Sequence, residues 1–200
     1  MNATLTVLGV GFVLGLRHAF EPDHLAAVST LAMRQGALRD AARLGLSWGV
    51  GHTASVGVVV AAIMLADLRL PPAFQPAADL TVAFLLIILG LSVLLRMSGA
   101  GPRPNERDIG GSFGFGVAHG LAGSGAIVVL LVAAAPTRAA QATYFAAFGT
   151  GTMLGMLGVS VAVAALARAA ARNSGRWATF LHVGSAVAST AAGLLLAANL

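Results

Sequence analysis

Apolar residues dominate the chain in long blocks that short polar clusters separate, a pattern typical of membrane-spanning helices. A span needs about 20 mostly apolar residues, because the hydrocarbon core is roughly 30 Å thick and a helix rises about 1.5 Å per residue. The blocks that meet this length are residues 4–32, 44–66, 79–97, 112–134, 143–167 and 178–198. The pattern therefore predicts an all-α integral membrane protein with six transmembrane helices.

The first block is too long for one straight span and carries charged residues and a proline in its interior. Pro22 has no N–H to donate, and its ring clashes with the carbonyl four residues earlier, that of His18. We therefore expect the first helix to be interrupted near Pro22. Irregular backbone at membrane depth is tolerated only inside protein or beside a polar cavity, so the break predicts a polar site. The freed His18 carbonyl is expected to offer it an oxygen.

Composition agrees with a membrane protein and excludes several other classes. The chain is 58% hydrophobic and 10% charged, whereas a soluble domain is about 25% charged. It has no cysteine, which excludes a disulfide scaffold, thiolate zinc sites and iron–sulfur clusters. The net charge of +5 comes from arginines scattered between apolar blocks, and without a basic stripe no nucleic-acid partner is expected.

The arginines favour one orientation in the membrane. The loops after the first, third and fifth spans contain Arg34, Arg39, Arg43, Arg96, Arg103, Arg107, Arg168, Arg172 and Arg176. The second and fourth loops contain only Arg69 and Arg138. Because short loops rich in arginine stay in the cytoplasm, we expect a multi-pass protein of the cell membrane with both termini outside the cytoplasm.

The two halves of the chain resemble each other weakly. At offsets of 101 and 100 residues, matching positions pair Phe12 with Phe113, Gly15 with Gly116, His18 with His119, Gly49 with Gly149 and Gly51 with Gly151. Three spans per half require opposite insertion, so we expect two inverted repeats, about 1–98 and about 110–200, in one transmembrane domain over residues 1–200. A shared rhythm of small residues is the alternative reading. Exposed Gly/Ala faces suit either packing within the chain or a homo-oligomer.

The break region contains the most promising chemistry. Ionisable residues at membrane depth are costly and therefore functional candidates. An interrupted helix can fold His18, Asp23 and His24 onto one point, and imidazole with carboxylate suits nickel, cobalt, zinc or iron(II). We expect Arg17 to pair with Glu21 one turn later, which leaves Asp23 to compensate a dication. Alternatively, the charged residues form a buried ion network that only fixes helix packing.

Residues on later helices extend this candidate site. His52 lies at a similar depth in a glycine-rich segment, so we expect it to be a further ligand, with Thr53 supporting it. The alternative is a histidine that bonds a neighbouring carbonyl. His119 is a candidate ligand, proton carrier or gate. Ser124 stands where the first half has Asp23, so the second half looks degenerate as a metal site.

These elements resemble the nickel/cobalt transporter family, and most closely its short six-span, urease-accessory-type relatives. The family hallmark, a histidine, four residues and then Asp-His, corresponds to His18–His24, and a Gly-His-Ser/Thr element corresponds to Gly51–Thr53. The stretch His119–Ser124 is similar to the short relatives. The resemblance implies a permease that binds Ni²⁺ or Co²⁺ as substrate, with no cofactor. The metal-selecting residues it implies are His18, Asp23, His24 and His52.

The chain departs from the longer family members. Their later acidic motifs and histidine-rich loop are absent, and Glu21-Pro22 stands where they usually have Asp-Ala. A permease for Zn²⁺ or Fe²⁺ is one alternative function. Another is an intramembrane metal-dependent hydrolase, for which Glu21 is the only candidate base. A thiol–disulfide conduit fails without cysteine. We therefore expect a transporter rather than an enzyme, with a divalent metal ion and the lipid bilayer as partners.

Overall fold

A computed structural model describes residues 3–33, 37–66, 71, 73–99, 109–122, 135, 137–173 and 175–200, which contain seven α-helices and no strand. The helices are α1 Ala3–His18, α2 Pro22–Ala32, α3 Leu38–Ala66, α4 Phe74–Met97, α5 Ile109–Ala122, α6 Arg138–Asn173 and α7 Gly175–Ala198. Within these residues, α3, α4, α6 and α7 are long and apolar enough to cross a membrane. The described residues are thus all-helical, as the apolar pattern predicts, with four of the six expected spans found as helices long enough for a multi-pass membrane protein.

The interruption predicted near Pro22 is confirmed. The chain turns between α1 and α2, where the N–H groups of Phe20 and Glu21 donate to the carbonyls of Arg17 and His18 at 2.9 and 3.0 Å. Pro22 occupies the first position of α2, where a missing N–H costs no hydrogen bond. The sequence had suggested that the His18 carbonyl would be free. Instead, it accepts a hydrogen bond from the Glu21 N–H.

Several helices extend beyond the apolar blocks that predict them. α3 begins at Leu38 instead of 44, and α6 covers Arg138–Asn173 instead of 143–167. Hydropathy marks only the part in hydrocarbon, whereas helical hydrogen bonding continues into the interface, where arginine side chains are solvated. At 36 residues, α6 is roughly 54 Å long, well over the hydrocarbon thickness. Of the predicted span 112–134, the part after Ala122 lies outside the described residues.

α1 and α6 pack side by side in the same direction through glycines. A Cβ on Gly15 would overlap the carbonyl oxygen of Phe148, and a Cβ on Gly151 would overlap that of Phe12. Small residues let membrane helices approach this closely because no side chain separates the backbones. The contact holds the C-terminal end of α1, with His18, against the middle of α6.

α3 and α5 form a second pair of the same kind. A Cβ on Gly116 would overlap the carbonyl oxygen of Trp48, and a Cβ on Gly51 would overlap that of Phe113. The Ser112 hydroxyl also donates to the Leu44 carbonyl at 2.8 Å. Gly51, next to His52, and Gly116 and Gly120, on either side of His119, therefore bring these two histidine-bearing helices into backbone contact.

The short helix α2 lies in the centre of the described helices. Its Ala27 and Val28 are buried in a core cluster with Leu86 of α4 and Met156 of α6. Around it, α4 and α7 run antiparallel, and the Ser189 hydroxyl of α7 donates to the Leu86 carbonyl at 2.9 Å. This packing buries His24 in the first turn of α2 and leaves the neighbouring Asp23 side chain 25% exposed.

Candidate metal site

The break between α1 and α2 brings His18 and His24 together, and α3 adds His52. The ring centroids of His18 and His24 are 4.5 Å apart, and His52 lies 5.1 and 5.2 Å from them. One nitrogen from each ring lies within 4.8 Å of the others. The three residues are at most 4% exposed. The structure thus brings together the imidazole nitrogens of His18, His24 and His52, which are three of the four residues expected to select the metal.

Carboxylates contact the Nδ1 side of two of these rings. Glu21 Oε1 lies 3.1 Å from His18 Nδ1, and Asp23 Oδ1 lies 3.0 Å from His24 Nδ1. Because an ionised carboxylate only accepts, it favours the tautomer with the proton on Nδ1, which leaves the Nε2 lone pair for a metal. His24 Nε2 is buried and has no hydrogen-bond partner among the described residues, so its lone pair is available to a ligand.

The nitrogen spacing fits a transition-metal dication. Two nitrogens bound to one ion at about 2.0–2.1 Å in neighbouring positions lie roughly 3 Å apart. His18 Nε2 and His52 Nε2 are 3.1 Å apart, close enough for a hydrogen bond between the rings. Imidazole donors suit nickel, zinc, copper and iron. The arrangement can therefore exchange that hydrogen bond for coordination with little movement.

His119 of α5 reaches the other side of Asp23. Its Nε2 lies 3.1 Å from Asp23 Oδ2, and its ring centroid is 4.3 Å from that of His24. The side chain is 0% exposed, and its Nδ1 has no hydrogen-bond partner. The structure places His119 in the cluster itself, one carboxylate away from the three-imidazole group.

The expected ion pair between Arg17 and Glu21 is not formed. Glu21 contacts His18 instead, and Arg17 is exposed. Positions four apart face each other only on a continuous helix, and here the helix ends at His18. Among the described residues, no arginine pairs with Glu21 or Asp23. Two carboxylates rather than one are therefore available to compensate a dication, and the ion network of Arg17, Glu21 and Asp23 does not exist.

The remaining candidates lie apart from the cluster. Thr53 packs its methyl group against Gly149, and its hydroxyl has no hydrogen-bond partner, so it does not support His52. Ser124 lies outside the described residues. His182 lies at another contact, where its ring nitrogens are 2.8 and 3.0 Å from the carbonyl oxygens of Ala178 and Met33.

Aromatic side chains that the sequence reasoning missed form the walls of the site. Trp48 stacks on His24 with centroids 5.8 Å apart and an interplanar angle of 9°, and Phe148 lies 5.4 Å from His18. Two signals were present in the sequence. Trp48 lies one helical turn before His52, and Phe148 occupies the corresponding position in the second half. These rings keep water away from the histidines, which strengthens electrostatic interactions there.

Comparison with known proteins identifies relatives of the chain. Residues 4–99 match the family model of NicO, high-affinity nickel-transport protein. The chain is 30% identical to the urease accessory protein UreH of Bacillus sp. (strain TB-90) over 64% of its own length and 63% of the relative's. It is 28% identical to the chloroplast protein FOR GROWTH AND FERTILITY 1 of Arabidopsis thaliana over 70% of its length and 44% of the relative's. No solved structure matches the chain significantly.

The family match and the site coincide in the chain. The matched residues 4–99 include α1, α2 and α3, and so they contain the three-imidazole group and both carboxylates behind it. Only His119 of the cluster lies beyond the match. The first half of the chain is therefore similar to the NicO family of high-affinity nickel-transport proteins.

Proposed function

We propose that the chain is a membrane permease that carries Ni²⁺, and Co²⁺ as a related substrate, through the cluster of His18, Asp23, His24 and His52. The observation that carries this proposal is the convergence of three buried imidazoles within 4.8 Å. Buried, uncharged nitrogen donors of this kind have no evident packing purpose in a membrane protein. Similarity of residues 4–99 to a nickel-transport family supports the same ion.

The site binds the ion through neutral donors and balances its charge nearby. The imidazoles supply the lone pairs, and Glu21 and Asp23 supply two negative charges through the rings that they hold. α1 also ends at His18, so the partial negative charge of its C-terminal end favours a cation there. A dication thus exchanges its hydration shell for nitrogen ligands without leaving an unbalanced charge in the protein.

The ion approaches from the carboxylate edge of the site. The side chains of Asp23 and Glu21 are 25% and 39% exposed, whereas the histidines behind them are buried. A negative rim attracts a hydrated dication and raises its local concentration. On another side of His18, Phe148 belongs to a closed apolar cluster with Tyr144, Val56 and Val60. Release across the membrane then requires the surrounding helices to move apart.

The proposal includes six spans arranged as two inverted repeats, residues 1–98 and 110–200, within one domain. Equivalent contacts support this arrangement. Gly15 contacts Phe148, and Gly116 contacts Trp48. The offset of 101 residues relates Gly15 to Gly116, and the offset of 100 relates Trp48 to Phe148. The two contacts are therefore equivalent in the two halves. The contacts of Gly51 with Phe113 and of Gly151 with Phe12 are exchanged in the same way. A pseudo-two-fold axis between the halves explains all four contacts, and such repeats bind substrate where they meet.

The arginines support an orientation with both termini outside the cytoplasm. The contacts between helices give their directions. The first residues of α3, α5 and α7 lie at the same end of the helix bundle as the last residues of α4 and α6. That end carries Arg39, Arg43, Arg96, Arg168, Arg172 and Arg176. Arg138 lies at the opposite end. The positive-inside rule then assigns the arginine-rich end to the cytoplasm.

No observation favours the hydrolase alternative. Hydrolysis at a metal needs a base free to take a proton from water. Glu21, the one candidate base, has its Oε1 on His18 Nδ1. A permease for Zn²⁺ or Fe²⁺ would use the same imidazole and carboxylate ligands. A measurement of ion selectivity therefore distinguishes it from a nickel permease.

Metal flux into proteoliposomes containing the purified chain tests the proposal. We expect Ni²⁺ influx with the wild type, and flux at the level of empty liposomes with His24→Ala and Asp23→Asn. His182→Ala is the matched control, because it removes a histidine outside the cluster and should retain flux. Wild-type liposomes that admit neither Ni²⁺ nor Co²⁺ would refute the function. Faster flux of Zn²⁺ or Fe²⁺ than of Ni²⁺ would show that the faster ion, and not Ni²⁺, is the preferred substrate.

A further inference from the structure

We propose that the chain has a second metal position, formed by Asp23, His24 and His119, directly beside the three-imidazole position of His18, His24 and His52. The proposal rests on the proposed function, since it divides the transport site into two consecutive places for one ion. His24 belongs to both positions. The ion then moves between them by exchanging the partners of one shared histidine.

Distances among the three residues match those of a metal-binding group. One ligand atom from each of Asp23, His24 and His119 lies within 4.8 Å of the others. The two oxygens of Asp23 divide between the rings, with Oδ1 at 3.0 Å from His24 Nδ1 and Oδ2 at 3.1 Å from His119 Nε2. An ion between them would replace these two hydrogen bonds.

The two nitrogens of His24 serve the two positions. Nδ1 faces Asp23, so the second position takes this nitrogen. Nε2 has no hydrogen-bond partner among the described residues and is left for the group with His18 and His52. One imidazole therefore presents one nitrogen to each position. Because a neutral ring carries its proton on one nitrogen, that proton moves from Nδ1 to Nε2 when the ion passes from the first position to the second.

Unpaired polar atoms around the cluster support a ligand role for His119. Buried polar groups almost always have hydrogen-bond partners, because an unpaired one costs free energy. In the part of the chain that the structure describes, His119 Nδ1 and His24 Nε2 are both buried without a hydrogen-bond partner, although each ring has one nitrogen on Asp23. A histidine that only cross-links α5 to α2 needs one such bond and gains nothing from being fully buried.

The two positions differ in chemistry and in the helices that supply them. The first offers three neutral nitrogens from α1, α2 and α3. The second offers two nitrogens and a carboxylate oxygen from α2 and α5. Both cannot hold an ion at once, because the ions would share His24 and repel each other. One ion therefore passes from ligands of the first half of the chain to His119 of the second half.

Co²⁺ binding to the purified full-length chain tests for the second position. The variants are the double substitution His18→Ala with His52→Ala, which removes the first position, and His119→Ala, which removes the second. We expect the wild type and both variants to bind one Co²⁺ per chain, the variants with weaker affinity, and His24→Ala to bind none. A double variant that elutes as a folded species but binds no Co²⁺ would overturn the second position.

Ni²⁺ flux provides the second arm, with His119→Gln included in case His119→Ala does not fold. We expect flux through the folded His119 variant to fall by about tenfold or more while one metal ion stays bound. His182→Ala is again the control. Wild-type flux in the His119 variant would overturn the inference and leave the proposed function intact, whereas absence of flux in the wild type would refute the proposed function itself.

Discussion

Glu21 acts on the metal site through His18. Its Oε1 lies 3.1 Å from His18 Nδ1, and this contact sets both the tautomer and the direction of the ring. Nε2 then points at His52, 3.1 Å away. A carboxylate behind a histidine also makes the other nitrogen a better donor. Glu21 is therefore a positioning residue, and its negative charge adds to that of Asp23.

Replacing Glu21 by glutamine tests this role. Glu21→Gln keeps the size of the side chain and removes its charge, so we expect Ni²⁺ and Co²⁺ affinity to fall about 10–100-fold. Isothermal titration of the purified chain measures the change. Asp79→Asn is the matched control, because Asp79 lies outside the cluster and, among the described residues, accepts a hydrogen bond from Gln75 on the same helix alone. Equal affinities of Glu21→Gln and the wild type would show that the carboxylate does not act through His18.

At the scale of helices, close glycine contacts hold the histidines in place. α1 meets α6 at Gly15, and α5 meets α3 at Gly116, in each case against backbone atoms of the partner helix. Backbone cannot move aside as the end of a side chain can. A methyl group at either position must therefore push two helices apart, and with them the rings of His18 or His119.

Paired alanine substitutions separate this effect from helix propensity. Gly15→Ala and Gly116→Ala should each destabilise the protein by about 1–3 kcal/mol through overpacking. Gly9→Ala on α1 and Gly114→Ala on α5 are the controls, because a Cβ at either position meets no atom within 4 Å. Thermal unfolding in detergent measures the difference. Equal melting temperatures within a pair would contradict the close approach.

The helix break between α1 and α2 illustrates which features the sequence predicts and which it does not. Pro22 and the spacing of His18, Asp23 and His24 were sufficient to predict a broken helix that gathers these residues. The pairing of Glu21 was predicted wrongly, because it depends on the residue at which α1 stops. A helix through residue 21 would place Arg17 beside Glu21, whereas a helix that ends at His18 turns Glu21 back onto His18.

Contacts between distant helices were beyond such reasoning. Periodicity gives the depth of His119 in the membrane but not its neighbours, so its contact with Asp23 required the packing of α5 on α3. The stacking of Trp48 on His24 is also a tertiary contact. The repeat offset could have pointed to Trp48 and Phe148, since it aligns their neighbours Gly49 and Gly149.

At the scale of the whole molecule, the absence of cysteine makes membrane topology directly measurable. We expect Thr137→Cys and Asn199→Cys to react with a membrane-impermeant maleimide in intact cells, because both exposed positions lie at the arginine-poor end. Ser98→Cys, exposed at the arginine-rich end, should react only after the cells are permeabilised. The wild type is the unreactive control. The reverse labelling pattern would contradict the proposed orientation.

In the proposed mechanism, the buried histidines around His24 hold the transported ion. Anomalous diffraction at the nickel absorption edge, from crystals of the wild-type chain grown with Ni²⁺, tests it most directly. We predict a peak at bonding distance, about 2.0–2.1 Å, from a ring nitrogen of His24, completed either by His18 and His52 or by Asp23 and His119. Nickel bound elsewhere in the membrane region, with no peak at His24, would contradict the account.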